Sequence, residues 1–221
     1  MSRIADIKAP KSARALIPDT ATRILDAAER LVQSRGYNGF SYADIAARVG
    51  ITKASLHHHF ETKATLGEAL IERYRKHFMQ ALAAIDANAE DAADRLRSYA
   101  GLYAAVLEGE RLCLCGMLAA EYDTLPTAMQ EGIRKFFNVN EEWLAGVLEE
   151  GRRRGRFHRR DSARETARLL LSALEGAMLV ARPYHDVARF NAAAGHLLAG
   201  LQVDRPPGKS TRHLRERRQA S

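Results

Sequence analysis

The chain has 221 residues, 46% of them hydrophobic and 28% charged, with a formal net charge of +7. That length admits one or two domains with a sizeable core. No apolar run is long enough for a bilayer span and the N-terminus lacks a leader's hydrophobic region, so a soluble, cytoplasmic protein without membrane contact is expected.

The charge is unevenly placed. Residues 1–66 carry 10 Lys/Arg against 6 Asp/Glu, residues 67–204 carry 18 against 20, and residues 205–221 carry 6 against 1. A polyanion-binding front end on a near-neutral second module accounts for this better than uniform basicity does. The six prolines stand at segment edges, and Ala-, Leu-, Glu- and Arg-rich stretches at helical spacing lie between them. The expected fold class is therefore all-α.

Residues 1–18, with Arg3, Lys8, Lys11, Arg14 and two prolines, read as a basic, disordered arm. Asp19 or Thr20 caps a first helix that runs to about Arg35, with Ile24, Ala27, Ala28, Leu31 and Val32 as its buried face and Gly36 as its stop. Ser41 caps a second helix, Tyr42–Val49, whose apolar residues are Ile45, Ala46 and Val49. Gly50 leaves that helix, Thr52 caps the next, and Lys53–Phe60 follows with Leu56 and Phe60 facing inward. Lys53, Ser55, His57 and His58 then face out. Two short helices on a buried seam, with hydrogen-bonding side chains on the second, form a helix-turn-helix. The successive residues His57, His58 and His59 point about 100° apart, so they cannot converge on one ion, and no metal is expected.

At Ile24–Leu66, ILDAAERLVQSRGYNGFSYADIAARVGITKASLHHHFETKATL, the chain resembles the DNA-binding domain of the TetR family of bacterial transcriptional regulators. Helix lengths, the Gly-Ile turn, the His-Phe ending and Lys63 fall in register; His57-His58 depart from the tyrosines more usual there. The resemblance implies a homodimer on a double-stranded, near-palindromic DNA operator. Arg23, Ser41, Tyr42, Thr52, His58 and Lys63 become candidates for phosphate contacts, and Lys53, Ser55 and His57 for base edges. A lysine in the first turn after Thr62 opposes the helix dipole unless an anion is near, and the resemblance makes a DNA phosphate that anion. His59 is expected to turn toward the protein.

The fourth helix, from Lys63 to about Ala87, carries the stripe Leu66, Leu70, Tyr74, Phe78 and Leu82 and is the continuous connection to everything downstream. Further helices are expected at Asp91–Glu108, Met117–Tyr122, from after Pro126 to about Arg154, at Ser162–Ala181 and at Asp186–Leu201. The tail 205–221 is basic and broken by proline and glycine. The expected organisation is thus the arm 1–18, a helix-turn-helix domain 19–66, a helical effector-binding and dimerisation domain 67–204, and the basic tail 205–221.

In the family the second module binds a small effector and forms the dimer. Small residues Ala173, Gly176, Ala177, Ala192, Gly195 and Ala199, with Leu198, are the expected dimer interface, since such side chains let helices approach closely. Tyr103, Leu107, Cys113, Met117, Tyr122, Phe137, Trp143 and Met178 are the expected effector-lining set, although each also suits an ordinary core. An apolar or amphipathic small-molecule effector is implied. The segment Arg111–Leu118, RLCLCGML, resembles a TetR subgroup with a cysteine before the sixth helix. Arg111 and a helix opening at Gly116 would lower a thiol pKa there, which leaves a thiol-redox or electrophile sensor at Cys113 or Cys115 beside the reading of small buried residues. No Glu-x-x-His pair, Ser/His/Asp arrangement or phosphate-cradling glycine loop is present, so neither an enzyme nor a cofactor is expected.

Overall fold

In the computed structural model, residues 19–158 and 161–202 are described; the expected arm 1–18 and tail 205–221 lie outside them. The helices among the described residues are α1 Thr20–Arg35, α2 Tyr42–Val49, α3 Lys53–His59, α4 Lys63–Asn88, α5 Ala92–Glu108, α6 Leu114–Ala120, α7 Thr127–Arg153, α8 Ala163–Ala181 and α9 Val187–Ala199. Short 3-10 turns stand at Tyr122–Thr124 and Arg182–Tyr184.

Short polar side chains start most of these helices. Asp19 accepts from the Thr22 amide at 2.7 Å, Thr52 from Ser55 at 3.1 Å, and Thr62 from Thr65 at 3.1 Å. Asp91 accepts from Asp94 at 2.9 Å, and Ser162 from Glu165 at 3.1 Å. Each such cap contributes ~1 kcal/mol by satisfying an otherwise orphaned amide. Gly50, at φ +72°, ends α2 in the left-handed region, and both its amide and that of Ile51 reach the Ala46 carbonyl.

α6 departs from expectation. It begins at Leu114 rather than Met117, and Gly116 lies inside its first turn. Cys113 occupies the cap position without a side-chain bond, so no cap residue announces the start. Burial of Leu114, Cys115 and Leu118, all 0% exposed, sets it instead.

In the head formed by α1–α3, Ile24, Ala28, Leu31, Ile45 and Leu56 are wholly buried. Each large apolar side chain among them stabilises by roughly 1.5–3 kcal/mol. α4 buries Leu66, Leu70, Tyr74 and Leu82 and leaves Phe78 half-buried. It lies close against α7: a Cβ on Gly67 would come within 2.5 Å of the Met129 sulfur. α7 packs on α8, α8 on α9, and α9 on α5, and a single apolar core runs through head and body. Beyond α7, Phe157 pairs as an isolated antiparallel bridge with Gln202.

The head is held to the body by more than α4. The Glu121 carboxylate, just after α6, accepts from the amides of Tyr37 at 2.5 Å and Asn38 at 3.2 Å. Asn38 Nδ2 donates to Thr124 at 2.8 Å. Arg111 donates to the Gln33 side chain and Leu112 to the Gln33 carbonyl. From the far end of α8, Arg182 reaches the Ser34 carbonyl at 2.6 Å. α4 itself contributes Arg73, paired with Asp26 and Glu29 at 2.7 Å each. Among the described residues no helix is long and apolar enough to cross a membrane.

Candidate functional site

The outer rim of the head is built on α2 and α3. Leu56, 0% exposed, locks α3 onto the seam. That anchorage turns Lys53, Ala54, His57, His58 and His59 outward, with Ser55 half-buried. His59 is exposed, contrary to expectation, because only Leu56 of this seven-residue helix faces the core. It stands edge-on to His58 and near Asp19, whose carboxyl lies below its ordinary value chiefly through the Thr22 amide bond.

Several rim residues already have partners inside the protein. The Tyr42 hydroxyl donates to the Phe60 carbonyl at 2.9 Å, and its ring lies 4.8 Å from that of His57. Burial pushes the Tyr42 hydroxyl up to about 12, so it stays a neutral donor. His57 Nδ1 lies 3.0 Å from the Glu61 carbonyl, which leaves the far edge of its ring outward. Ser41 donates to the Asp44 carboxylate and Thr52 caps α3. Arg23 donates to the Val49 carbonyl at the C-terminal end of α2.

Lys63 differs most from its sequence reading. Its ammonium donates to the carbonyls of Tyr37, at 2.6 Å, and of Phe40. It also sits over both their rings, at 4.6 and 4.2 Å from the centroids. Burial holds its pKa below the ordinary lysine value. The charge at the start of α4 is thus met by loop carbonyls and ring faces, an arrangement set by the fold of the loop 36–41, which sequence spacing did not reveal. Lys53, Ser55, Thr52 and His58 keep side-chain groups open on the rim.

The expected effector residues do not form one lining. Tyr103, Cys113, Leu107 and Met178 are buried in the body. The Tyr103 hydroxyl is 3.0 Å from that of Tyr99, which donates to Asn140 at 2.9 Å. The Cys113 amide donates to the Met178 sulfur, and the Tyr74 hydroxyl to the Cys113 sulfur at 3.8 Å. Phe137 and Trp143 are half-buried on α7; the Trp143 ring stacks on Tyr99 and its nitrogen donates to Asp86. Tyr122 stands apart, its hydroxyl held by Arg134 on α7, and Met117 lies near Arg182. A surface hollow of about 210 Å³ opens elsewhere, among Leu148, Phe157, Thr166 and Leu201, and touches none of these residues.

Sequence reasoning missed Glu175 here, and read Tyr74 and Phe78 only as part of the α4 stripe. Glu175 falls among the buried α8 residues Leu171, Leu174 and Met178. A charge on an apolar stripe was the available signal. Its stem is half-buried, while the carboxyl oxygen Oε1 is closed off from solvent and has no hydrogen-bond partner. Burial raises this carboxyl from 4.5 to about 7, and a hydrogen bond with the Cys113 thiol lowers it.

Both thiols are buried, in keeping with the reading of small buried residues, and their shift runs against the lowering suggested by Arg111 and a helix opening at Gly116. Burial, followed by the field of Glu175, pushes both Cys113 and Cys115 well above the ordinary thiol value. Arg111, expected to lower them, is turned to Gln33 instead.

On the outer side of α8 and α9, two stripes are left uncovered. Leu169, Ala173, Gly176 and Val180 follow each other at four, three and four residues on α8, with Ala173 half-buried and the others exposed; Ala188, Ala192, Gly195 and Ala199 do so on α9. Leu169 is 59%, Leu179 62% and Val180 57% exposed. A Cβ on Gly176 or Gly195 would meet nothing within 4 Å. Leu198, expected on this face, is buried, because it continues the inward series Phe190–Ala194–Leu198.

With this geometry in view, known proteins offer a direct comparison. The family model described as bacterial regulatory proteins, tetR family, matches residues 24–70, and that for a tetracyclin repressor-like C-terminal domain matches residues 92–197. The HTH-type transcriptional repressor DhaR of Mycobacterium sp. strain GP1 is 29% identical over 153 residues, 66% of this chain and 73% of DhaR. The fold is similar to that of a TetR-family transcriptional regulator from Agrobacterium tumefaciens, with a TM-score of 0.80 and 35% identity over 83% of this chain and 98% of that one. A TetR transcriptional regulator from Legionella pneumophila gives a TM-score of 0.78 and 32% identity, covering 85% of this chain and 100% of that one.

Proposed function

The chain belongs to the TetR family of bacterial regulatory proteins, and from that premise we propose that it is a ligand-responsive repressor working as a homodimer. Members of the family are helix-turn-helix DNA-binding transcription regulators, and they are not enzymes. The observation that carries the finer reading is the open polar rim of α3, where Leu56 anchors the helix and leaves Lys53, His57 and His58 outward. An α-helix of this width fits a major groove.

In this reading Lys53, Ser55 and His57 meet base edges, while Thr52 and His58 meet phosphates. Arg23, Ser41, Tyr42 and Lys63 act mainly by holding the rim in shape, since their polar groups already bond to Val49, Asp44, Phe60, Tyr37 and Phe40. One head reads too few bases for a long operator, because each base contact discriminates by ~1–3 kcal/mol. Two heads about 34–36 Å apart on a near-palindrome suffice. The uncovered stripes of α8 and α9 supply the face on which a second copy would sit.

An apolar or amphipathic effector bound in the body releases the DNA, provided it binds the two head separations with different affinity. The buried, raised thiols of Cys113 and Cys115 favour a reversible ligand over a thiolate sensor. Gel-shift titration against the DNA upstream of the protein's own gene tests this reading. Wild type should bind with an affinity that falls as salt rises. Lys53→Ala and His57→Ala should each cost about 1–3 kcal/mol and relax selectivity; variants as tight and selective as wild type would refute the base-reading assignment.

A further inference from the structure

Glu175 lies in the body with acceptor capacity that the protein does not use. Its Oε1 is enclosed and has no partner, and among the described residues no lysine, arginine or histidine pairs with it. The groups that face it are Tyr74 from α4, Tyr99 and Tyr103 from α5, and Cys113 and Cys115 from α6. All are neutral at physiological pH, because burial raises every one of them. Gly116 is what makes room for the carboxyl: a Cβ there would lie 2.5 Å from Oε2. An enclosed carboxyl oxygen without a donor is costly, and native proteins rarely keep one without a use.

The neighbouring wall is aromatic. Tyr74 and Phe78 lie 5.5 and 5.2 Å from Phe136, and Phe78 lies 6.0 Å from Tyr99 and 6.2 Å from Tyr103. Ring faces beside a carboxylate form an environment suited to an organic cation, attracted by the quadrupoles and neutralised by the acid. Gly116, Met117 and Glu175 as whole residues are each half-buried, so α6 and α8 meet solvent beside the enclosed carboxyl.

We propose that Glu175 is the recognition residue for the effector, and that the effector is a small amine: a protonated nitrogen that donates to Glu175 Oε1, on an apolar or aromatic body that packs against Tyr74, Phe78, Tyr99 and Phe136. The inference rests on the effector-responsive reading above and narrows it to one chemical class. A charge-assisted hydrogen bond in an enclosed site is stronger than a neutral one, so an amine is preferred to a neutral isostere by about tenfold.

The test uses the full chain and three probes of similar shape: 2-phenylethylamine, 2-phenylethanol and 3-phenylpropanoate. Calorimetric titration and release of labelled upstream DNA are read for each. Wild type should bind the amine about tenfold tighter than the alcohol, bind the acid weakest, and release DNA in the same order. Glu175→Gln, which keeps the shape, should bind amine and alcohol alike and still bind DNA; Glu175→Asp should recover part of the preference. Equal responses of wild type to amine and alcohol, no response to either included, overturn the proposal. So does an amine preference that survives in Glu175→Gln. Wild type that holds DNA without preferring the amine removes this inference alone, whereas wild type without DNA affinity removes the regulatory reading itself.

Discussion

Glu175 also has a measurable consequence for stability. Its folded-state pKa is raised from 4.5 to about 7 by burial. The folded protein therefore holds a proton that the unfolded chain releases between those values. Its contribution is fully present below about pH 4.5 and is lost as pH rises toward 7. Each pH unit of that interval is worth ~1.4 kcal/mol, so the loss is roughly 3 kcal/mol. Chemical denaturation of wild type and Glu175→Gln should show their stability difference changing by this order between pH 5 and 8, with wild type losing ground; a difference flat across that range would contradict the assignment. Lys63 teaches the converse lesson about single residues. Its sequence position suggested an outward anion, but the folded loop offers it two carbonyls and two ring faces closer at hand.

Among the elements, α6 and the turn after it bear most on communication between the two parts. One end of α6 carries Gly116 against Glu175, and just past the other end Glu121 grips the Tyr37 and Asn38 amides. A shift of α6 is therefore felt in the loop that positions α2. α4 shares the load through its Arg73 pairs with α1, so the covalent connection is accompanied by a second, non-covalent one. Glu121→Ala should leave both amides without their acceptor and destabilise the head by about 1–3 kcal/mol. Hydrogen exchange at Tyr37 and Asn38 should accelerate well before that of core amides in α5 and α7. Unchanged exchange there would mean that the carboxylate is not what holds the loop.

At the scale of the whole molecule, the uncovered α8 and α9 stripes are the face on which the proposed homodimer is tested. Leu169, Leu179 and Val180 would stay in water in a lone chain, against the usual cost of exposed apolar area. Paired with a second copy, the open positions at Gly176 and Gly195 permit close helix approach. Sedimentation should give about twice the chain mass of 24.6 kDa for wild type. Leu169→Glu combined with Val180→Glu should shift the species to a single chain and weaken binding to a full palindrome far more than to a half-site. A double variant that stays dimeric would place the interface elsewhere.

The sequence by itself determined the all-α class, the helix-turn-helix and nearly every helix limit, because caps, glycine stops and apolar periodicity are local and act within a few residues. The buried faces of α1 and α2 followed from the same periodicity. Where local signals fell silent, tertiary structure decided. α6 started without a cap, on burial alone. Leu198 turned inward with Phe190 and Ala194 while its small neighbours stayed out. The pKa of Cys113, and the lack of a partner for Glu175 Oε1, depend on which helices enclose them rather than on adjacent residues. Desolvation and partner choice are properties of three-dimensional neighbours many positions apart, and a linear pattern does not carry them.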